Sequence, residues 1–386
     1  MSQPDARVVN PAGAFRVVVT KELPGERWLR RLTAAGCRVE IVQGTHALGE
    51  AEILAAIGEH ADAVVGQLTE PWTAALLERL SQAGGRIYSQ FAVGHDNVDV
   101  GAATRLGLPV GNTPGVLTET TAEMTVALTF AAARRVAEGD RMMRAGDYHG
   151  WLPDMLLGSL LFRGTVGIVG AGRIGTAYAR MMVEGHKMDL VYYDVRANDE
   201  LEGYVSDYAA FLEERGEAAV SCRRAASLHE LLGVADVVSI HAALTPDTRH
   251  LIGAPELAAM KDDAILVNAS RGPLVDEAAL VEHCGTHPRF RAGLDVFERE
   301  PVMQPGLAEL QNVVVVPHLG SATNWTREGM ATLAAANAAA ILCGWPVWPA
   351  AADATDVAPF LGDAEPPHAA PSIVNAAELG LARWSG

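Results

Sequence analysis

Three polar residues with complementary chemistry, Arg271, Glu300 and His318, each lie shortly after a run of aliphatic and β-branched residues. If those runs are parallel strands, the three side chains emerge at one sheet edge, where open α/β sheets bind their ligands. An arginine can bind a carboxylate or polarise a carbonyl through the rigid fork of its guanidinium. A histidine can donate a proton to a carbonyl oxygen, and an adjacent glutamate orients the ring and favours its charged form. The set therefore predicts the reduction of a 2-oxo acid.

A glycine-rich turn predicts the cofactor that such a reduction needs. A strand pattern is followed by Gly170, Gly172 and Gly175, which open a helix. These glycines permit a tight turn, the close approach of a pyrophosphate and tight helix packing, and the helix N-terminus attracts phosphate. Asp194 ends the next predicted strand, 19 residues past Gly175, where an acid accepts ribose hydroxyls and repels a 2′-phosphate. The sequence thus favours NAD(H) over NADP(H), with Arg196 close enough in sequence to weaken that preference.

Alternating strand and helix patterns position both sets of residues. Residues 15–112 show short β-rich runs separated by amphipathic stretches, and residues 165–316 show a second such series. Residues 117–144 predict one long helix, and residues 328–342 predict a final alanine-rich helix. Strands that alternate with helices predict an α/β fold with parallel sheets, while residues from 345 onward show no clear periodicity.

Composition argues against several other classes of function. The chain has 386 residues and a formal net charge of −17, which disfavours binding to a nucleic-acid backbone. Its four cysteines are widely separated, so neither a disulfide framework nor a zinc ribbon is predicted. The histidines form no HExxH motif, and the apolar runs are too short to span a bilayer. We therefore expect no catalytic metal, no nucleic-acid partner and no membrane partner.

At these residues the chain resembles the D-2-hydroxyacid dehydrogenase family, and the resemblance extends over nearly its whole length. Residues 112–123 and 245–252 match further motifs of the family. Residues 92–100, 325–335 and 371–375 resemble its plant-type peroxisomal hydroxypyruvate reductase (glycerate dehydrogenase) branch. That branch ends in a peroxisomal tripeptide, whereas this chain ends in Trp-Ser-Gly, so the peroxisome, the cytosol and the mitochondrion all stay open as compartments.

The resemblance implies a two-domain architecture. A flavodoxin-like substrate-binding domain would comprise residues 14–117 and 320–350 and be interrupted by an NAD-binding Rossmann domain at 118–319. Residues 351–386 would form a C-terminal extended tail. Hinge closure of one domain on the other is expected around a small anionic substrate.

The resemblance also implies roles for particular residues. Arg271, Glu300 and His318 match the catalytic set, and the backbone of Val93 and Gly94 matches the loop that receives the substrate carboxylate. Trp151 resembles an aromatic residue that reaches the neighbouring active site in homodimers of the family. Positions that match cofactor contacts are Thr121, Gly170, Gly172, Arg173, Ile174, Gly175, Asp194, Ala242, Thr248, Ala269, Ser270 and Asp295, the last of which would hold the nicotinamide amide.

The activity implied by the resemblance is the NADH-dependent reduction of hydroxypyruvate to D-glycerate, of the photorespiratory type, with side activity on glyoxylate. Two alternatives stay open. One is a glyoxylate reductase or another D-2-hydroxyacid dehydrogenase, because substrate choice depends on loop shape. The other is a non-catalytic NAD-sensing protein, since the family includes a transcriptional corepressor. Glu300 argues against a formate dehydrogenase, which has glutamine there, and the tail is too short for the regulatory domain of many phosphoglycerate dehydrogenases.

Overall fold

The computed structural model describes residues 4–349, 357–362 and 364–385, and the chain divides into two compact units. The first unit comprises Met1–Leu117 and Ala322–Gly386, and the second comprises Thr118–Ser321. In the described ranges, the strands are β1 Ala6–Val9, β2 Phe15–Val19, β3 Cys37–Val42, β4 Ala63–Gly66, β5 Ile87–Gln90, β6 Val110–Gly111, β7 Thr165–Val169, β8 Asp189–Tyr193, β9 Cys222–Arg224, β10 Val237–Ile240, β11 Ile265–Asn268, β12 Arg291–Leu294 and β13 Val313–Val315. The helices are α1 Arg27–Ala34, α2 Glu50–Ile57, α3 Ala74–Gln82, α4 Val100–Arg105, α5 Thr118–Ala133, α6 Val136–Ala145, α7 Arg173–His186, α8 Asp199–Glu214, α9 Leu228–Val234, α10 Ala254–Ala259, α11 Glu277–Thr286, α12 Asn324–Cys343 and α13 Ala358–Leu361.

The first unit is built on a six-stranded sheet in the order β1-β3-β2-β4-β5-β6. All neighbouring strands are parallel except β1, which the sequence patterns did not predict and which pairs antiparallel with β3. The five parallel strands have the 2-1-3-4-5 order of flavodoxin-like sheets. The predicted flavodoxin-like fold of this unit is therefore confirmed.

Helix α12 forms much of the core of the first unit although it lies near the other end of the chain. Residues 329–340 are all buried, and most of them are alanines that allow close approach. The helix packs on α1 and β5, and Ser89 of β5 donates a hydrogen bond from its hydroxyl to Ala334 O at 2.9 Å. The first unit is thus completed only by residues that follow the second unit in sequence.

The segment after α12 packs against the first unit within its described residues. Ile373 pairs antiparallel with Gly111 of β6, and the ring of Trp384 lies 4.4 Å from that of Trp348, measured between centroids. The sequence predicts this region as an extended tail, and residues 364–385 contain neither a helix nor a regular strand. Of that tail, positions 351–356, 363 and 386 lie outside the described residues. The described part contributes side chains to the core of the first unit.

The second unit is built on a seven-stranded, wholly parallel sheet in the order β13-β12-β11-β10-β7-β8-β9. Read from β9, this is the 3-2-1-4-5-6 order of a Rossmann fold with one further strand. Because all strands run the same way, the ends of β7, β8, β10, β11 and β12 meet at one edge. That edge receives the residues that follow those strands.

The prediction of a single helix over 117–144 is wrong, because α5 ends at Ala133 and α6 begins at Val136. Arg135 between them has a left-handed φ of 55°. The N–H of Ser159 donates a hydrogen bond to Ala133 O at 2.9 Å. The crossing loop therefore takes a carbonyl that a continuing helix would use, a contact that local periodicity does not reveal.

Among the described residues, no helix combines the length and apolarity that a bilayer crossing requires.

Candidate active site

Glu300 and His318 form a hydrogen-bonded pair in the second unit. His318 Nδ1 lies 2.9 Å from Glu300 Oε2, and Glu300 Oε1 accepts a hydrogen bond from the Phe297 N–H at 3.1 Å. Burial raises the pKa of Glu300, but the hydrogen bond and charge of His318, the Phe297 N–H and the charge of Arg271 outweigh burial and lower that pKa overall. Glu300 is therefore ionised at neutral pH, and its negative charge faces the His318 ring.

Asp295 holds the backbone of the turn that contains His318. His318 has a left-handed φ of 53°, and its N–H donates to Asp295 O at 2.9 Å. The two carboxylate oxygens of Asp295 accept the N–H groups of Leu319 and Gly320. Burial raises the pKa of Asp295, and the two N–H groups and the charge of His318 oppose that rise. A φ in this region is unfavourable for a residue with a side chain, so the Asp295 contacts stabilise an otherwise costly turn.

Thr121 and Asp295, two predicted cofactor-contacting positions, both lie next to Gly320. A Cβ built on Gly320 would lie 3.0 Å from Asp295 Oδ2 and 3.4 Å from Thr121 Cγ2. Thr121 is itself buried near the start of α5, and its carbonyl accepts a hydrogen bond from the Thr125 hydroxyl at 2.8 Å. The first turn of α5 therefore meets the turn that follows β13.

Arg271 leaves β11 through a hydrogen-bonded turn. Asn268, the last residue of β11, donates from Nδ2 to Arg271 O at 2.8 Å and accepts the Ser270 N–H at 3.1 Å. The Ser270 hydroxyl donates to Ala242 O at 2.7 Å, which ties this turn to the end of β10. Three of the predicted positions, Ser270, Arg271 and Ala242, are thus brought together.

The turn that contains Arg271 packs directly against the loop that contains Glu300. A Cβ on Gly272 would lie 1.9 Å from the carbonyl carbon of Phe297, so only glycine fits there. Glu277 Oε1 accepts the Glu298 N–H at 2.8 Å, and Glu298 Oε2 accepts the Glu277 N–H at 3.3 Å. Burial and the charge of Glu298 raise the pKa of Glu277.

The glycine turn after β7 has the geometry that a dinucleotide requires. Gly170 has a φ of 94°, and a Cβ on it would lie 2.7 Å from Ala242 N at the end of β10. A Cβ on Gly175 would lie 2.2 Å from Gly170 O, so the start of α7 packs directly on the turn. A Cβ on Gly172 would have no atom within 4 Å, which leaves open space for a pyrophosphate before the α7 N-terminus, where Arg173 and Ile174 begin the helix. These residues fit NAD(H).

The side chain of Asp194 is hydrogen-bonded to this glycine turn. Asp194 Oδ2 accepts the Ala171 N–H at 2.8 Å, and Oδ1 accepts the Arg196 N–H at 3.0 Å. Asn198 donates from Nδ2 to Ala171 O at 2.8 Å. The carboxylate predicted for the adenine ribose therefore also shapes the backbone that receives the pyrophosphate.

The remaining predicted cofactor positions in the second unit follow neighbouring strands. The Thr248 hydroxyl donates to Ala243 O at 2.7 Å and stabilises the turn after β10. Ala269 comes directly after β11. Both positions therefore lie on segments that leave the carboxyl edge of the sheet, next to the glycine turn.

The loop predicted to receive the substrate carboxylate follows β5 in the first unit. Gln90 donates from Nε2 to Gly94 O at 3.3 Å and to Asn97 Oδ1 at 2.6 Å. Asn112 donates from Nδ2 to Val93 O at 3.0 Å. Side-chain amides therefore hold the carbonyls of both predicted residues.

Trp151, the predicted residue that would reach a neighbouring subunit, is 74% exposed. It lies in the loop between α6 and β7, and several other large apolar side chains are exposed in α6 and in that loop. These are Val136, Met143, Tyr148, Leu152, Leu157, Leu160 and Phe162.

Residues 4–349, 357–362 and 364–385 contain no group of three or more His, Cys, Asp or Glu side chains arranged to hold a metal ion.

Sequence reasoning missed the residues that hold the functional loops. Glu277 could have been noticed as an acidic residue following a predicted strand and turn, because it opens α11 directly after the N-cap Asp276. Gln90 was missed although its partners, Gly94 and Asn97, lie only four and seven positions ahead. The partner of Asn112, Val93, lies 19 positions earlier in the chain, so no local pattern specified that bond.

Comparisons with known proteins agree with this geometry. The family model described as "D-isomer specific 2-hydroxyacid dehydrogenase, NAD binding domain" matches residues 126–320. A glycerate dehydrogenase from Cucumis sativus is 55% identical over 377 residues, covering 97% of this chain and 98% of that protein. A glyoxylate reductase from Korarchaeum cryptofilum is 42% identical, covering 83% of this chain and 91% of that protein. A solved structure of a protein from Thermus thermophilus has a TM-score of 0.74 and 40% identity, covering 86% of this chain and 98% of that one.

Proposed function

The chain belongs to the D-isomer-specific 2-hydroxyacid dehydrogenase family of NAD-dependent enzymes, and from this premise we propose that it reduces hydroxypyruvate to D-glycerate with NADH. The observation that carries the proposal is the Glu300–His318 pair, with the charge of Arg271 acting on the same carboxylate. The Cucumis sativus relative, named a glycerate dehydrogenase, supports hydroxypyruvate as the substrate.

The chemistry divides among a few side chains. NADH, when bound, supplies the hydride that reduces the carbonyl carbon. Arg271 binds the substrate and stabilises the negative charge that develops on its oxygen. His318 donates a proton to that oxygen from Nε2, the ring nitrogen opposite the one that contacts Glu300. The backbone N–H groups of Val93 and Gly94 receive the substrate carboxylate.

NADH is the proposed cofactor rather than NADPH. Asp194 stands at the end of β8, within the glycine turn, where its negative charge repels a 2′-phosphate. Asp295 and Thr121 lie together and are proposed to bind the nicotinamide end. The oxygens of Asp295 already accept two backbone N–H groups, so its contact with the carboxamide would use its remaining lone pairs.

Reduction of glyoxylate is the second candidate function. It is favoured by the Korarchaeum cryptofilum relative, which is named a glyoxylate reductase. Both substrates are small 2-oxo acids and place the same demands on Arg271, Glu300 and His318. The two candidates therefore differ in loop shape rather than in catalytic groups.

The decisive experiment measures kcat/KM for hydroxypyruvate, glyoxylate and pyruvate with NADH and with NADPH. We expect the highest value for hydroxypyruvate with NADH. A higher value for glyoxylate would establish the second candidate, and a higher value with NADPH would contradict the role of Asp194. Tight NADH binding without oxidation by any of the three acids would indicate a binding protein.

We also propose that the protein is a homodimer joined through the region 136–162. Exposed apolar side chains cluster there, and clusters of this kind mark association surfaces. Trp151 would then reach the neighbouring subunit. Light scattering coupled to size-exclusion chromatography should give twice the chain mass, and Leu160→Asp, which charges a side chain that is 82% exposed, should give the monomer.

A further inference from the structure

We infer that the C-terminal segment 371–375 positions the substrate-carboxylate loop, and that Ser372 and Asn112 connect the segment to Val93. The inference rests on the proposed function, which gives Val93 and Gly94 their role. It assigns a part in substrate binding to a segment that contains none of the predicted catalytic, cofactor-binding or substrate-binding residues.

A chain of hydrogen bonds makes the connection. The Ser372 hydroxyl donates to Asn112 Oδ1 at 2.6 Å, and Asn112 Nδ2 donates to Val93 O at 3.0 Å. Asn112 and Ser372 are also joined through the backbone, because the Asn112 N–H donates to Ser372 O at 3.3 Å. The Asn112 amide is thus oriented by Ser372 on one side and holds the loop on the other.

A second amide, that of Asn337, bonds both Asn112 and Ser372. Asn337 of α12 donates from Nδ2 to Asn112 O at 2.9 Å and accepts the Ser372 N–H on Oδ1 at 2.8 Å. Its side chain is fully buried in the first unit. A buried amide that lost either partner would leave a polar atom unsatisfied, so the arrangement resists rearrangement.

The register of the segment is set by β6, the outermost strand of its sheet. Ile373 pairs with Gly111, and the Val374 N–H donates to Val110 O at 2.7 Å. Asn375 Oδ1 accepts the Val110 N–H at 2.9 Å. Because Asn112 follows β6 directly, the segment that pairs with the edge of β6 also fixes the position of Asn112.

The groups in this connection are hydroxyls, amides and backbone atoms, which do not titrate near neutral pH. Their loss should therefore alter the position of the loop without altering proton transfer. The expected effect is a higher KM for the substrate, with little change in kcat, in NADH affinity or in the pH profile.

The test compares Ser372→Ala, which removes the hydroxyl, with Ser372→Thr, which keeps it. Glu378→Ala, an exposed position three residues beyond the segment, is the control. We expect Ser372→Ala to raise KM for hydroxypyruvate about two- to tenfold, the effect of one hydrogen bond, and to leave the NADH dissociation constant unchanged. Ser372→Thr and Glu378→Ala should stay within twofold of the wild type.

Amide hydrogen exchange in residues 92–95 provides a readout that does not depend on activity. Ser372→Ala should speed exchange there, and Ser372→Thr should not. Unchanged KM together with unchanged exchange would overturn the inference, as would equal effects of the alanine and threonine variants. Faster exchange with unchanged KM would instead contradict the assignment of the loop to the substrate. A wild type that reduces no 2-oxo acid would refute the proposed function, and hydrogen exchange would still decide whether the segment holds the loop.

Discussion

The two units hold their functional loops at the carboxyl edge of a parallel sheet, but with different kinds of side chain. In the second unit, the Asn268 amide holds the turn of Arg271, but carboxylates hold the loops around His318. Asp295 accepts the backbone N–H groups after His318, and Glu300 bonds the ring. In the first unit, amides do it: Gln90 and Asn112 donate to backbone carbonyls of the loop after β5. Charged groups thus cluster where a proton is proposed to move, and neutral groups hold the loop proposed to bind substrate.

This difference separates two kinds of experimental response. A carboxylate changes its protonation with pH and acts on a neighbouring histidine through its charge, whereas an amide hydrogen bond is insensitive to pH near neutrality. Substitutions in the second unit should therefore alter turnover and its pH dependence. Substitutions in the loop supports of the first unit should alter substrate affinity and leave the pH dependence of turnover unchanged.

The largest effect is expected for His318→Ala. Removing the proton donor should lower kcat about 10²- to 10⁴-fold, the range of a general acid. NADH affinity, measured by fluorescence titration, should stay nearly unchanged, because the glycine turn and Asp194 do not depend on the ring. Near-normal turnover would show that His318 is not the proton donor. It would also contradict the proposal that proton transfer depends on the charged groups of the second unit.

Glu300→Gln should have the next largest effect. Reduction requires a proton on His318, and the negative charge of Glu300 favours the protonated ring. Without that charge, the fall in activity on the alkaline side of the pH profile should begin at lower pH. Because the pKa of Glu300 is lowered, its carboxylate keeps this influence in the wild type even when the pH falls into the ordinary glutamate range.

The measurement for Glu300→Gln is the pH profile of kcat and of kcat/KM for hydroxypyruvate reduction. Glu309→Gln, an exposed position in the same unit, serves as the control and should leave the profile in place. An unmoved profile in Glu300→Gln would mean that the pair seen in the structure does not govern proton delivery.

The smallest effect is expected for Asn97→Ala in the first unit. Asn97 accepts from Gln90 and donates to the carbonyls of Gln67 and Glu70, so its loss unpairs groups beneath the loop. We expect KM for hydroxypyruvate to rise about two- to tenfold and the free energy of unfolding to fall by about 1 to 3 kcal/mol. The pH profile should match the wild type, and a shifted profile would contradict the division of roles between the units.

Local sequence signals were sufficient for the nucleotide-binding turn of the second unit. The strand before Gly170, the spacing to Gly172 and Gly175 and the acid at Asp194 each follow from short-range requirements of a nucleotide turn, and the structure shows the corresponding geometry. Arg271, Glu300 and His318 were predictable because parallel strands bring their carboxyl ends to one edge. Their assigned roles in catalysis stay predictions.

The supports of the loops were not predictable in the same way. The bond between Asn375 and the Val110 N–H joins residues 265 positions apart, and that between Ser372 and Asn112 joins residues 260 positions apart. No local pattern specifies such partners. The prediction of one continuous helix over α5 and α6 failed for the same reason, because a loop residue, Ser159, takes the carbonyl that ends the first of them.

The position of α12 has a consequence for the synthesis of the chain on the ribosome. The helix fills the core of the first unit, yet it is translated only after the whole of Thr118–Ser321. At about 5 to 20 residues per second, the N-terminal part of the first unit waits roughly 10 to 40 s for its missing core helix. During that interval the apolar faces of α1 and β5 lack their partner. We therefore expect the inserted unit to fold first, and nascent chains to depend on chaperones most strongly before α12 emerges.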